Sequence, residues 1–199
     1  MTISAEQVKA LRDVTGAGFM ECKAALAEAG GSLEEATTIL RKRGLASAAK
    51  KAGRSTSQGV IASYIHAGGQ IGVLVEVNCE SDFVARTPDF QTVVKEIAMQ
   101  IAAANPRFVR REGVPPEEVE KERAIYRAQM EGANKPANVI DKIVEGKLGS
   151  FYEQIVLMEQ KSIRDTNVTV KQLIDAAIAK LGENISVARF ARFRVGETA

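Results

Sequence analysis

Only two cysteines and one histidine occur among 199 residues, and this scarcity removes several kinds of chemistry at once. Cys22 and Cys79 stand far apart, with no CxxC and no Cys/His pairing nearby, so neither a disulfide framework nor a zinc site is expected, and both read as small reduced core residues. Long apolar runs are lacking: none approaches the roughly 20 residues that span a bilayer. Met1 to Ala10 has no basic-then-apolar order of a secretion signal, so the expected location is the cytosol, with no membrane partner. Charge of one sign is missing too. The net charge is +2 with acids and bases interleaved, which argues against a nucleic-acid binder that must neutralise many phosphates. There is no internal repeat, nucleophile elbow or phosphate loop. Thr15-Gly16-Ala17-Gly18 has two glycines but neither GxGxxG nor a following Gly-Lys-Ser/Thr.

What is present reads as an α+β chain long enough for one core and a smaller module. Residues 4 to 43 predict three short helices. Ser4 caps the first; the second follows the Thr15 to Gly18 turn; Ser32 and Glu35 form a capping box for the third, which Gly44 is expected to stop. An Ala-rich, helix-permissive stretch to Lys51 and the small polar run Gly53 to Gly59 read as a linker. The division expected is therefore a helical module over 1–54 and a core domain over 55–199. In the core domain, Val60 to His66 and Gln70 to Val77 flank Ala67-Gly68-Gly69, the composition of a tight hairpin. Thr87-Pro88 starts a helix that ends before Asn105-Pro106, and Pro115-Pro116-Glu117-Glu118 starts another running to about Glu131. Helices near 136–146, 150–158 and 170–181 follow, then a last strand over 185–195, giving a small antiparallel sheet with helices on one face.

The most site-like stretch is Asn78-Cys79-Glu80-Ser81-Asp82-Phe83-Val84-Ala85-Arg86, where a buried strand breaks into a loop. Each residue has a plainer reading. Ser81 or Asp82 caps the turn that begins at Phe83, and Phe83, by residue type, packs beneath the Phe90 helix. His66 lies exposed at a hairpin end. A catalytic reading would use His66, Glu80 and Asp82 as acid and base and needs a closed pocket. An RNA-binding reading would need a basic face built from Lys50, Lys51 and Arg54 or from Arg189, Arg192 and Arg194. The last three also fit the wet face of an edge strand.

Two long segments carry a more specific signal. Leu11-Arg12-Asp13-Val14-Thr15-Gly16-Ala17-Gly18-Phe19-Met20-Glu21-Cys22-Lys23-Ala24-Ala25-Leu26 resembles the first signature of the bacterial elongation factor Ts family. The stretch from Gly72 to Arg86 resembles its second, with the family's Thr-Asp-Phe-Val loop at Ser81 to Val84. Ala48 to Ala52, Asn105-Pro106, Gly182-Glu183-Asn184 and Arg192-Phe193 extend the likeness over essentially the whole chain.

The resemblance implies a non-catalytic guanine-nucleotide exchange factor for elongation factor Tu, needing no cofactor and forming no stable nucleic-acid complex. It implies a ubiquitin-associated-like three-helix module that docks on the GTPase through Arg12, Phe19, Met20 and Lys23. It also implies a wedge, Asp82 and Phe83, flanked by Ser81 and Val84, entering near the Mg²⁺ and phosphate site; His66 and Leu181 are further contact candidates. On this reading Phe83 is exposed. The chain departs from the family pattern at Ser81, where Thr is usual, and at Phe19, where Met is common. It carries one copy of the hairpin unit, as in the short form of the family, which implies a homodimer using the sheet near the C-terminal strand.

Overall fold

A computed structural model of the chain describes residues 3–133 and 135–197; Met1, Thr2, Asn134, Thr198 and Ala199 lie outside the described residues. In chain order the elements are α1 (Ala5–Thr15), α2 (Phe19–Glu28), α3 (Leu33–Lys51), β1 (Gln58–Ile65), β2 (Ile71–Cys79), α4 (Asp82–Ala85), α5 (Pro88–Ala104), α6 (Pro116–Ala128), α7 (Ala137–Ile155), α8 (Val170–Leu181) and β3 (Ile185–Arg194). The fold is α+β. Its sheet has the order β1-β2-β3 and is antiparallel: His66 N–H donates to Ile71 C=O at 2.9 Å, and Val195 N–H donates to Gln70 C=O at 3.0 Å. Gly68 and Gly69 at the hairpin tip have φ of +89° and +69°, which side chains with a Cβ rarely adopt.

The residues group into two compact units, Met1–Ile61 with Glu76–Lys95 and Gln172–Val187, and Ala62–Val75 with Glu96–Lys171 and Ala188–Ala199.

In the first unit, α1, α2 and α3 enclose their own small core of Val8, Leu11, Cys22, Ala25, Leu26, Ala29 and Ala36. Local chemistry fixes their starts. Ser4 and Gln7 form a reciprocal capping box, and Ser32 Oγ accepts the Glu35 N–H at 3.3 Å. Gly44 does not stop α3, which runs on through the Ala-rich segment to Lys51. The glycine serves packing instead, since a Cβ there would stand 3.3 Å from the Cβ of Ala179 in α8. Lys50 and Lys51 occupy the last turn of α3, where cations favour the helix dipole.

In the second unit, α6 and α7 run antiparallel. Arg123 pairs with Glu145 and, further along, Arg127 with Asp141 at 2.9 Å. The segments expected at 136–146 and 150–158 are one helix to Ile155 and a 3-10 turn at Leu157–Glu159. Gly146 and Gly149 interrupt the helical pattern in the sequence, but Val144, Leu148, Phe151 and Ile155 keep one buried stripe across them. Here packing outweighs a propensity cost of about 1 kcal/mol per glycine. Among the described residues no helix is long and apolar enough to cross a membrane.

Candidate functional site

The site-like loop begins where β2 ends. Val73, Val75, Val77 and Cys79 alternate inward and are buried, so the strand is held by its core face up to the point where the chain turns. Ser81 is extended (φ −127°, ψ 155°) and caps α4, its Oγ accepting the Val84 N–H at 3.4 Å. Thr87 closes the turn: its hydroxyl donates to Val84 C=O at 2.8 Å and accepts the Phe90 N–H at 3.3 Å, starting α5 with Pro88 in the first position. The cap is therefore Ser81, with Asp82 one position inside.

Phe83 is 78% exposed, whereas Ala85 and Phe90 are buried. A packed Phe83, the expectation from residue type alone, is not found. Positions 83 and 85 lie about 200° apart on a helix. With Ala85 turned inward, Phe83 faces solvent, and Phe90 occupies the core place instead. Asp82 meets Arg86 one turn on, at 2.8 Å, and Val84 is half-buried.

The first signature forms the turn between α1 and α2. Gly16 ends α1 in the left-handed region (φ +67°) and donates its N–H to Arg12 C=O at 2.7 Å. Thr15 Oγ1 donates to Leu11 C=O at 2.7 Å and accepts the Ala17 N–H at 3.3 Å. Glu21 accepts the Gly18 N–H at 3.2 Å. A short, fully bonded turn thus presents Phe19 (50% exposed) and Met20 (70%) outward, with Arg12 and Lys23 also exposed. Scattered exposed hydrophobics are ordinary, whereas several crowd this one pinned turn.

These residues, with Ser81 to Val84 and the half-buried Leu181 at the end of α8, all belong to the first unit. His66 belongs to the second, exposed at the hairpin end, sharing a 3.0 Å hydrogen bond between its Nδ1 and Tyr64 Oη. The acid-base constellation needs a closed pocket; the loop instead offers an exposed aromatic. Among the described residues no His, Cys, Asp and Glu side chains gather as a metal-ligand set.

The sequence model of the family described as Elongation factor TS matches residues 4–197. The chain belongs to the elongation factor Ts family. It is 61% identical over 197 residues to an elongation factor Ts of Koribacter versatilis, covering 99% of this chain and 90% of that protein. Its identity to the elongation factor Ts of Fervidobacterium nodosum is 60% over 197 residues, covering 99% and 100% of the two. To that of Caldanaerobacter subterraneus subsp. tengcongensis it is 60% over 195 residues, covering 98% of each.

Two features of the candidate site were missed in the sequence. Val14, in the last turn of α1, is 77% exposed, as Phe19 and Met20 at the start of α2 are exposed. The signal was in the period: from Val8 to Val14 the helix has drifted about 120°, so Thr15 takes the inner place. The second part is Glu183, just past the left-handed Gly182 (φ +79°). Its Oε2 accepts the N–H groups of Glu80 (3.1 Å) and Ser81 (2.9 Å), and its Oε1 accepts the Ser81 hydroxyl at 2.6 Å. Nearby, the Cys79 thiol donates to Ser81 C=O at 3.1 Å. Burial, and then the charge of Glu183, push its pKa up, which keeps it a thiol.

Proposed function

We propose that this chain is a guanine-nucleotide exchange factor for elongation factor Tu in translation, acting in the cytosol and catalysing no covalent chemistry of its own. The observation that carries the reading is Phe83, a large aromatic 78% exposed at the apex of a capped, one-turn helix. Leaving an aromatic in water costs burial energy on the order of 2 kcal/mol, so a partner that covers it gains that amount.

In this reading residues 1–54 dock on the GTPase through Arg12, Phe19, Met20 and Lys23, and residues 55–199 carry the wedge. Asp82 and Phe83 enter near the Mg²⁺ and phosphate site, Ser81 and Val84 flank them, and His66 and Leu181 add contacts. Displacing the groups around Mg²⁺ removes the cation's screening of the GDP phosphates, so the nucleotide is held less tightly. Reciprocity follows: whatever factor this protein takes off GDP affinity, GDP takes off its own affinity for the GTPase, and incoming nucleotide releases it. Neither step uses a cofactor or a nucleic acid on the exchange factor.

Two copies pair through the sheet in the same reading. Ile65, Leu74, Phe193 and Val195 are each at least 50% exposed, more apolar side chain than an isolated small sheet keeps in water. The test of function is the release of a fluorescent GDP analogue from elongation factor Tu. Acceleration by this protein at micromolar concentration supports the reading, and an unchanged rate rejects it.

A further inference from the structure

We infer that Glu183 is the positioning residue of the exchange loop: through one carboxylate, held 102 residues away in sequence, it sets the direction in which Phe83 projects. The inference rests on the wedge reading above and adds how the wedge is aimed.

After Cys79 the sheet ladder ends, and the N–H groups of Glu80 and Ser81 need another acceptor. Both find the same oxygen, Glu183 Oε2, at 3.1 and 2.9 Å. The second oxygen takes the Ser81 hydroxyl at 2.6 Å, the short geometry of a bond to an ionised acceptor. Ser81 Oγ is also the cap of α4. A continuous chain of bonds therefore runs from Glu183 through Ser81 to the backbone of the turn that bears Phe83. Glu183 lies beyond the end of α8, whose free C-terminal carbonyls a carboxylate cannot serve, so helix capping does not explain these bonds.

The junction is tied in the reverse direction as well. Glu80 Oε1 accepts the Asn184 N–H at 2.7 Å, and the Asn184 side-chain amide donates to Arg54 C=O at 2.8 Å, just beyond α3. Lys180, three residues before Glu183, pairs with Asp89 at 2.7 Å, and its stem lies where a Cβ on Gly16 would meet it at 3.3 Å. The end of α8 thus touches the loop, the start of α5, the end of α3 and the turn that presents Phe19 and Met20. An exposed aromatic acts as a wedge only if its backbone holds it in place, because a misplacement of about 1 Å can cost on the order of a hundredfold in rate.

The experiment measures GDP-analogue release from elongation factor Tu at saturating full-length exchange factor, for Glu183→Ala, Glu183→Gln, Phe83→Ala and the double variant Phe83→Ala with Glu183→Ala. It is paired with amide hydrogen exchange at Glu80 and Ser81. Glu183→Ala should slow the maximal rate about tenfold, the equivalent of one lost bond to a charged group, with a smaller change in half-saturating concentration. Protection of both amides should fall. Glu183→Gln, whose amide oxygen still accepts both N–H groups, should recover most of the rate even if Glu183→Ala folds poorly. In the Phe83→Ala background, removing Glu183 should change the rate by less than about twofold, because the two act through one route. A wild-type rate in Glu183→Ala with a slow Phe83→Ala overturns the inference and leaves the wedge standing. An undiminished additional loss in the double variant also overturns it. A wild-type rate in Phe83→Ala removes the wedge reading, and this inference with it.

Discussion

Asp82 and Arg86 form an ion pair at 2.8 Å one helical turn apart, with the arginine side chain 79% and the aspartate 47% exposed. Such exposed pairs contribute at most about 1 kcal/mol, and the capping role that would make Asp82 structural belongs to Ser81. Asp82→Ala should therefore lower stability by less than about 1 kcal/mol in urea unfolding while slowing exchange severalfold. Equal losses in stability and exchange would return Asp82 to a structural role.

Gly59 lies against the strand it pairs with. A Cβ there would sit 2.3 Å from Val77 C=O oxygen and 2.6 Å from Asn78 Cα, at a φ of +148°. Gly59→Ala should destabilise the fold by about 2 kcal/mol or more, read as a lower urea midpoint with an unchanged slope.

Cys79 is buried in the folded chain and exposed in the unfolded one, so its raised pKa makes stability depend on pH on the alkaline side. The sign is set by proton count. Above the ordinary thiol value of about 8.5 the unfolded chain has lost its proton while the folded chain keeps it, so stability falls as pH rises through that window. Urea midpoints of the wild type should drop more steeply between pH 8.5 and 10 than those of Cys79→Ala; parallel curves would show that Cys79 does not contribute.

The exposed sheet face gives an oligomeric prediction. Counting back from the Gln70–Val195 pair places Phe193 opposite Gly72, whose Cβ position Ile65 already approaches to 3.1 Å from the other side. Phe193→Glu would put a charge in the middle of an apolar contact, at a cost of several kcal/mol if that contact is dry. Sedimentation at micromolar concentration should show a dimer for the wild type and a monomer for this variant. A wild-type monomer with full exchange activity would exclude the dimer.

Much of the architecture was legible because local rules and packing agree. Ser4, Gly68-Gly69 and Thr87-Pro88 each specify one structure by a cap or by positive φ. Glycine misled where tertiary contacts override punctuation, at Gly44, which seats against Ala179, and at Gly146 and Gly149, carried within α7 by its apolar stripe. Phe83 could not be placed by residue type, since one turn of helix has no period to read; only the likeness to a family put it outside. Glu183 was illegible for another reason. A side chain serving a backbone 102 residues away leaves no local pattern, whatever its chemistry.

The most direct test of the central claim compares stopped-flow release of a fluorescent GDP analogue from elongation factor Tu by the wild type and by Phe83→Ala, with thermal unfolding of both. Phe83 is 78% exposed, so its removal should leave the melting temperature within a few degrees. The same change should slow release at least tenfold, the loss expected of a central aromatic anchor. A Phe83→Ala protein that accelerates release as well as the wild type would contradict the account.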